Sequence, residues 1–477
     1  MKSPFSYFSF MAILSLVNSS PVAEPRQITA SQKTAFVNLA VTRGRPEHLA
    51  SGWIYGIPDV FPNQIPTSWY TDVGFRWGKG GGGQLGRPGE RGWVVSLDDY
   101  KGRLASTLAN YKTCRAVGAD FHIYVHDLWG TDHAGGKNGK WPGDKGDFSD
   151  YDKFVRQLMA DVAANMDVAH VTWDIWNEPD IQPYFWVRSA QQWVDLYVRT
   201  HKAIRANPAL DKMKISGPAI GFAPGPNNAY WTTWLPQAVG NATIPDYYTM
   251  HLLGGLGDIA YDPEYALASL SNLLNKHGAP SRQVFVNEYA AAAEMVPSGY
   301  IWWISRLERY NLLGMLANWL GGTQLHDLFG GLLTKRLDPK NYTATDYLPT
   351  AGYPVYKYYG STMTGQRANT TGSPDRWLDV YATIGMDKVR ILAGVKVHTG
   401  TYTIVVKGLG AVGYAANGTV KVATFSFDGE STTTKITREE PIPRGSTDYR
   451  VVDDSMTIEV RQTANHTGWA FEFDVKT

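Results

Sequence analysis

The chain has 477 residues, which is long enough for two or three domains, or for an α/β barrel with a smaller module attached. Its 45 basic and 44 acidic residues nearly balance, which argues against nucleic acid or an anionic membrane as an electrostatic partner. The 17 Trp and 27 Tyr residues are typical either of large cores or of a site lined with flat apolar faces, and composition does not decide between the two.

The N-terminus has the pattern of a secretory signal peptide over residues 1–23. Lys2 precedes an apolar stretch at residues 10–17, and small residues follow at 19–23. The stretch is too short for a membrane anchor, and no later run is long and apolar enough to span a bilayer. Five Asn-x-Thr sequons follow, at Asn241, Asn341, Asn369, Asn417 and Asn465. Together these features predict a protein exported through a eukaryotic secretory pathway.

Between residues 45 and 365, eight short apolar runs alternate with helical patterns. The runs are ASGWIYG (50–56), DVGFRWG (72–78), ADFHIYVH (119–126), HVTWDIWN (170–177), KMKISGPA (212–219), DYYTMH (246–251), QVFVNE (283–288) and LGMLANWL (313–320). Eight βα units in series predict a closed (β/α)8 barrel, a TIM barrel of the α/β class, with a doubly wound open sheet as the alternative.

Several of the intervening helices have recognisable N-termini. The capping-box spacing, or its Asp variant, occurs at Ser96 with Asp99, at Ser149 with Asp152, and at Ser189 with Gln192. The helix after Ser149 also has a one-sided apolar stripe. The stripe consists of Phe154, Leu158, Val162 and Met166.

The single cysteine and the glycine cluster of the barrel region are both interpreted as structural features and not as functional sites. Cys114 is the only cysteine, so no intramolecular disulfide can form. It lies in a helical pattern where a small buried residue fits, so we interpret it as a core residue rather than a nucleophile. The glycine cluster at residues 78–89 lacks the Lys-Ser/Thr pair of a phosphate-binding loop, which favours a flexible loop after the second strand.

Residues 366–477 change to short segments in which apolar and polar residues alternate between Gly and Asn turns. The segments include WLDVYATIG, KVRILAGVKV, GTYTIVVKGL, VKVATFSFDG and SMTIEVRQ. The pattern predicts a C-terminal antiparallel β-domain, most simply a β-sandwich. The early strand at residues 33–44 lies outside the barrel count, and we expect it to join this sandwich.

Two glutamates follow corresponding strand ends of the predicted barrel. Glu178 ends the fourth predicted strand and Glu288 the seventh. Side chains at these ends face the reaction site, and the fourth and seventh strands lie on opposing sides of the ring, so the two carboxyls can meet across its mouth. Carboxyls about 5 Å apart suit a retaining glycosidase, with one protonated and the other ionised. Taken alone, Asn-Glu-Pro is equally typical of a strand end followed by a turn.

The WNEP motif at residues 176–179, with a second glutamate closing the seventh strand, resembles glycoside hydrolase clan A. Arg76 at the predicted end of the second strand, the ASGWIYG first strand and the trailing sandwich are most similar to family 39, the β-xylosidase and α-L-iduronidase family. The resemblance implies that Glu178 is the general acid/base and Glu288 the nucleophile. It also implies that Asn177 hydrogen-bonds the sugar 2-hydroxyl. Arg76 would orient the nucleophile, with a structural ion pair under the barrel rim as the alternative.

The end of the sixth strand departs from the clan pattern. Many members carry His-x-Tyr there, and the tyrosine touches the nucleophile. His251 matches that pattern and is a candidate binding residue, but Leu253 stands in place of the tyrosine. Tyr248 and Tyr289 are the substitutes that the sequence offers.

Other candidate binding residues lie near the predicted barrel mouth. His126, beside Asp127 near the third strand's end, is predicted to bind sugar hydroxyls, and Trp319, ending the eighth strand, to stack on a sugar ring. His122 is interpreted as an interior residue. His122 and His126 are four apart, but no HExxH motif or third ligand accompanies them, so no metal site is predicted.

The sequence therefore predicts a secreted, retaining glycoside hydrolase acting by double displacement on polysaccharides, oligosaccharides or glycoconjugates. The predicted partner is a carbohydrate, with no cofactor, nucleic acid or membrane, and the oligomeric state is left open. The family resemblance favours xylosides and α-L-arabinosides. Two alternatives stay open: a carbohydrate-binding protein that has lost turnover, and an inverting enzyme or lyase with carboxyls farther apart.

Overall fold

The protein is described by a computed structural model over residues 30–60, 64–85, 89–431 and 434–476. The predicted signal peptide lies outside these residues. The central feature is a closed ring of eight parallel strands, β2 to β9, in chain order. In chain order the first strands are β1 (Thr34–Thr42), β2 (Gly52–Ile54), β3 (Trp77–Gly80), β4 (Asp120–Tyr124), β5 (Val171–Asp174), β6 (Lys214–Ile220), β7 (Tyr247–Leu252), β8 (Gln283–Tyr289) and β9 (Leu313–Leu316). The predicted (β/α)8 barrel is confirmed.

Helices connect the barrel strands and surround the ring. They are α1 (Thr67–Thr71), α2 (Leu97–Ala116), α3 (Val125–Trp129), α4 (Ser149–Asn165), α5 (Ala190–Arg205), α6 (Ala229–Gly240), α7 (Pro263–His277), α8 (Pro297–Tyr310) and α9 (Tyr353–Lys357). The part of the chain that the structure describes has no helix with the length and hydropathy to cross a bilayer.

Two of the three predicted helix caps are confirmed. The Ser96 hydroxyl accepts a hydrogen bond from the Asp99 amide, and Ser189 does the same for Gln192. The third is wrong, because Ser149 is already the first residue of α4 and does not cap it. The side chain of Asp147 accepts the Ser149 amide instead, at 2.8 Å. The apolar stripe of α4 is buried as predicted.

The second barrel strand starts later than its sequence pattern suggested. Residues 67–71 form α1 and the chain turns after it, with the Phe75 amide donating to the Tyr70 carbonyl, so β3 begins only at Trp77. Arg76 therefore precedes this strand instead of ending it. Lys79 is the basic side chain that β3 carries into the barrel, where it is buried.

The glycine cluster after β3 is packed against its neighbours at residues 81–83, which are buried, so this part is not the flexible loop that was predicted. A Cβ atom at Gly81 would overlap Tyr124, and one at Gly83 would overlap the Asp127 carboxylate. Glycine is needed here because the backbone lies directly against the end of β4 and against α3.

The C-terminal part forms a nine-stranded, mostly antiparallel sheet that closes over its own apolar core, as the predicted sandwich requires. The remaining strands are β10 (Leu333–Lys335), β11 (Tyr347–Pro349), β12 (Gln366–Thr371), β13 (Leu378–Ile384), β14 (Lys388–Val395), β15 (Gly400–Lys407), β16 (Gly418–Phe427), β17 (Ile442–Val451), β18 (Ser455–Gln462) and β19 (Gly468–Asp474). β10 and β11 form a separate hairpin. β1 pairs with β12 and β15, so the expected crossover of the early strand is confirmed.

Helix α8 joins the barrel to the sandwich through buried charges. Arg306 and Arg309 both pair with Asp379 of β13, the first at 2.9 Å. Lys396, just after β14, pairs with Glu294 of the loop after β8 at 2.9 Å. Cys114 is fully buried in the barrel core, as predicted.

Candidate active site

The structure brings the two strand-end glutamates together at the mouth of the barrel. One carboxylate oxygen of Glu178, one of Glu288 and one ring nitrogen of His251 all lie within 4.8 Å of one another. The three residues come from the loop after β5, from β8 and from β7. Carboxylate oxygens no more than 4.8 Å apart fit the roughly 5 Å spacing of retaining glycosidases better than the roughly 6.5 Å or more of inverting ones.

Glu178 is held in an unusual backbone conformation. Its φ of 45° lies in the left-handed region, which costs a non-glycine residue about 1–2 kcal/mol. The Glu178 amide donates to the Ala219 carbonyl at 2.8 Å, and the Asp180 carboxylate accepts the amides of Gly221 and Phe222. These bonds fix the loop after β5 against the loop after β6 and aim the Glu178 side chain over the barrel mouth.

Glu288 receives a hydrogen bond that the sequence did not reveal. The Tyr124 hydroxyl, from the end of β4, donates to Glu288 Oε1. His251 lies opposite Glu288 in the β7–β8 pairing. Its Nδ1 is 2.8 Å from Glu178 Oε1, and its Nε2 is 3.7 Å from Glu288 Oε1.

Burial dominates the electrostatics of this group. It raises the pKa of Glu178 to about 7, opposed by the nearby Lys79 ammonium. Burial also raises the pKa of Glu288, and the charge of Glu178 adds to the effect, whereas His251, Lys79 and the Tyr124 hydroxyl lower it. Burial lowers the pKa of His251, so its imidazole is neutral near pH 7.

A buried ion pair lies beneath the glutamates. Lys79 Nζ is 2.7 Å from Asp174 Oδ2 and donates to Asn177 Oδ1 at 3.3 Å. Asn287 Nδ2 donates to the same Asp174 oxygen at 3.1 Å. Sequence reasoning missed Lys79 because the strand pattern was set several residues too early. It missed Tyr124 although the alternation along β4 puts that side chain on one face with His122.

The expectation that Arg76 orients the carboxylate of Glu288 is wrong. Its guanidinium donates to the Glu47 carbonyl and lies over the Trp77 ring, at the N-terminal end of β3. Tyr248 and Tyr289, the two candidates to replace the missing tyrosine, do not bond Glu288 either. The Tyr248 hydroxyl donates to the Pro280 carbonyl, and the Tyr289 hydroxyl to the Ala50 carbonyl.

The other candidate residues surround this centre. Asn177 is buried and bonded to Lys79, which leaves its sugar contact a prediction. His126 is buried in α3 with its ring centroid 4.9 Å from that of Tyr124, and burial lowers its pKa to about 3. Trp319, 42% exposed, donates from Nε1 to the Ala290 carbonyl and stands at the rim beside the end of β8. The sugar contacts of His126 and Trp319 also stay predictions.

The Glu178–His251–Glu288 group is close enough to raise the question of a metal site. The two imidazole nitrogens, however, face different carboxylates, at 2.8 Å and 3.7 Å. In a zinc site, one imidazole nitrogen and an oxygen of each carboxylate would all have to lie roughly 2 Å from the same ion. Of the two nitrogens, Nδ1 makes a hydrogen bond with Glu178, whereas Nε2 has no hydrogen-bond partner among the described residues.

A closed (β/α)8 barrel with paired carboxylates at the ends of its fourth and seventh strands, followed by a β-sandwich, defines a glycoside hydrolase of the clan A type. More particularly, part of the chain is similar to one glycosidase family. Residues 143–272 match the model of glycosyl hydrolases family 39, in agreement with the resemblance noted in the sequence.

Solved structures share the fold over nearly the whole chain. N2152 from Neocallimastix frontalis aligns with a TM-score of 0.68 at 20% identity, covering 92% of this chain and 98% of that one. The family 39 enzyme from Xanthomonas axonopodis pv. citri aligns at 0.58 and 11% identity, covering 95% and 100%. The family 39 β-xylosidase from Caulobacter crescentus aligns at 0.53 and 14% identity, covering 92% and 99%. A search of curated proteins gave no match.

Proposed function

We propose that the protein hydrolyses glycosidic bonds with retention of configuration, by double displacement. The observation that carries the proposal is the meeting of Glu178 and Glu288 oxygens within 4.8 Å across the barrel mouth. A sugar between these carboxylates has a proton donor on one side of the scissile bond and a nucleophile on the other.

Glu178 is the proposed general acid and base. With a pKa of about 7 it retains its proton in neutral and mildly acidic solution, and it can give that proton to the leaving oxygen. The neutral His251 imidazole at 2.8 Å provides a hydrogen-bond partner in both protonation states of Glu178. The deprotonated Glu178 then activates the water that releases the sugar.

Glu288 is the proposed nucleophile. It must be ionised to attack the anomeric carbon, and the Tyr124 hydroxyl and the Lys79 ammonium both stabilise its ionised form. Because Glu178 and Glu288 are close and both partly dehydrated, one proton shared between them favours one protonated and one ionised carboxyl.

The proposed substrates are xylosides and α-L-arabinosides of plant or microbial glycans. The support is the family 39 match and a structural neighbour described as a family 39 β-xylosidase. Tyr184 and Trp319, at 52% and 42% exposure, lie in the loops after β5 and β9, where their rings are available to stack on sugars of a longer chain.

We also propose that the protein is secreted and N-glycosylated. The exposure of the sequons supports this: Asn241, Asn341, Asn417 and Asn465 are exposed, and Asn369 is half-buried. Expression in a eukaryotic host followed by enzymatic removal of N-glycans should lower the apparent mass of protein recovered from the medium. Retention of the full-length protein inside the cells would contradict the proposal.

The test of the reaction is hydrolysis of a panel of aryl glycosides by the wild-type protein, with NMR of the first-formed anomer. The expected result is release of sugar with the substrate's configuration, and none from Glu288→Gln. Initial formation of the opposite anomer would indicate an inverting enzyme. If glycans bind but no wild-type turnover occurs on any substrate, the carbohydrate-binding alternative is correct.

A further inference from the structure

The ion pair of Lys79 and Asp174 is unusual in being buried directly beneath the proposed catalytic carboxylates. The two side chains are 0% and 1% exposed, and the charged atoms are 2.7 Å apart. A buried pair recovers only part of what it costs to remove both charges from water, so it adds little stability by itself. Its place on the inner face of β3 and β5, in contact with residues next to both glutamates, raises the question of a role in the site.

The pair is hydrogen-bonded to two asparagines that occupy equivalent places. Lys79 donates to Asn177 Oδ1 at 3.3 Å, and Asp174 accepts from Asn287 Nδ2 at 3.1 Å. Asn177 and Asn287 directly precede the two glutamates, so each Asn-Glu dipeptide is bound to one member of the pair. The ion pair thus connects the end of the fourth barrel strand to the end of the seventh.

The Lys79 ammonium also reaches the nucleophile through a third side chain. It lies 3.8 Å from the centroid of the Tyr124 ring, a distance at which a cation is attracted to an aromatic face. The hydroxyl of the same tyrosine donates to Glu288. Lys79 therefore contacts Asn177, which precedes Glu178 in the sequence, and Tyr124, which is hydrogen-bonded to Glu288.

We propose that the Lys79–Asp174 pair is a positioning device that couples the two Asn-Glu strand ends and holds their carboxylates at a fixed separation across the barrel mouth. The inference rests on the proposed hydrolase function and deepens it. Lys79 acts through Asn177 and Tyr124, and its charge additionally tunes the protonation of both glutamates.

The effect of this charge on pH dependence has a definite sign. The titratable and charged groups around the pair are His122 and Tyr124 of β4, His126 and Asp127 of α3, Glu178 and Asp180 of the loop after β5, His251 of β7 and Glu288 of β8. The ammonium lowers the pKa of both glutamates against the effect of burial. Its removal raises both pKa values, so both limbs of the pH profile move to higher pH.

The test is Lys79→Met, which keeps the length of the side chain and removes its charge. With an aryl glycoside, kcat should fall about 100-fold while KM changes less than about threefold, as for misplaced reacting groups. Both pH limbs should move up by about one unit. A loss of stability alone would not displace the pH limbs of the folded fraction.

Lys335→Met is a matched control. Lys335 is another fully buried lysine paired with a buried aspartate, Asp327, and it shares no described hydrogen bond with either glutamate or with the asparagines before them. This variant should lose stability as Lys79→Met does, yet retain the wild-type pH limbs in its folded fraction. If the limbs of the pH profile also move to higher pH in Lys335→Met, the assignment of this movement to the charge of Lys79 is overturned.

Two further variants keep the proposal testable if Lys79→Met does not fold. The double variant Lys79→Met with Asp174→Asn leaves no unpaired charge and should still move the Glu178 limb to higher pH. Asn287→Ala removes one hydrogen bond and should lower kcat about tenfold with the limbs in place. Wild-type kcat and wild-type limbs in a folded Lys79 variant would overturn the coupling, whereas an inactive wild-type protein would contradict the hydrolase proposal itself.

Discussion

The ends of β5 and β8 finish in the same Asn-Glu dipeptide but hold their glutamates differently. Glu178 lies beyond its strand with a φ of 45°, its amide bonded to Ala219. Glu288 lies within β8, in register with His251 of β7. The nearest partner of Glu178 is a neutral imidazole, whereas Glu288 accepts a tyrosine hydroxyl from β4.

This difference shows how one dipeptide supports two chemical roles. A buried carboxyl beside a neutral imidazole favours its protonated form, and the pKa of Glu178 is raised to about 7. Burial also raises the pKa of Glu288, but the Tyr124 hydroxyl that it accepts lowers this pKa and stabilises the anion. Under the proposed mechanism, the two roles follow from the surroundings of each carboxyl and not from the shared dipeptide, as in other carboxylate pairs.

The largest expected effect comes from Glu288→Gln. The amide cannot attack the anomeric carbon, so kcat should fall about 10⁵-fold for every substrate, whatever its leaving group. Steady-state kinetics on aryl glycosides measure this, with circular dichroism and thermal unfolding as controls for folding. Residual activity above about 1% of wild type would exclude Glu288 as the nucleophile.

Glu178→Gln should have a smaller effect that depends on the leaving group. General acid–base catalysis is worth about 10²- to 10⁴-fold, and the loss should be least for activated aryl leaving groups, which need no proton. Azide should restore turnover of such substrates and give a glycosyl azide of retained configuration. Equal losses for good and poor leaving groups would contradict the acid/base assignment.

Tyr124→Phe tests the hydrogen bond that distinguishes the surroundings of Glu288 from those of Glu178. It removes the hydroxyl that lowers the pKa of Glu288, so the acid limb of kcat/KM should move to higher pH. A hydrogen bond to a charged group is worth about 1.5–3 kcal/mol, which predicts a 10- to 100-fold loss of kcat. Tyr248→Phe is the control, because the hydroxyl of Tyr248 donates to the Pro280 carbonyl, away from both glutamates, and activity should persist.

The pH dependence of kcat/KM in the wild-type protein distinguishes the titration of Glu178 from that of Glu288. Glu178 must be protonated to act as an acid, so kcat/KM should decline as pH rises through about 7. The same limb should be absent from Glu178→Gln, assayed with an activated substrate. A decline that persists unchanged in that variant would assign the limb to another group.

The last expected effect is on stability and not on the rate of reaction. The folded-state pKa of Glu178 is about 7 against an ordinary value of 4.5, so its burial costs stability as pH rises between these values. Glu178→Gln should therefore increase the free energy of unfolding at pH 8 by on the order of 3 kcal/mol and change it little near pH 4. Denaturant unfolding at both pH values measures this, and an equal change at both would be contrary to the expectation.

Local sequence patterns were sufficient for the architecture and for the two glutamates. The eight apolar runs predicted the barrel, and strand alternation placed Glu288 on its inner face. The pattern failed where a local element competed with it. The chain turns after α1, with the Phe75 amide bonded to the Tyr70 carbonyl, so the second strand begins only at Trp77. Arg76 therefore lost its predicted place and Lys79 was overlooked.

The partners of the glutamates were beyond the reach of local patterns. Tyr124 and Glu288 are 164 residues apart in the chain, and Lys79 and Asn177 are 98 apart. The tyrosine that the clan motif places on the sixth strand is provided here by the third, β4. No spacing within one segment can indicate such an exchange, because it depends on which side chains the closed ring brings face to face.

The sequence by itself determined a ring of eight strands, a trailing sandwich and two acidic strand ends, because these follow from periodicity and chain order. Only the tertiary structure decided which side chains surround each glutamate and how burial shifts the pKa of each carboxyl. Those properties arise from burial and from contacts between strands distant in sequence, and both exist only once the barrel has closed.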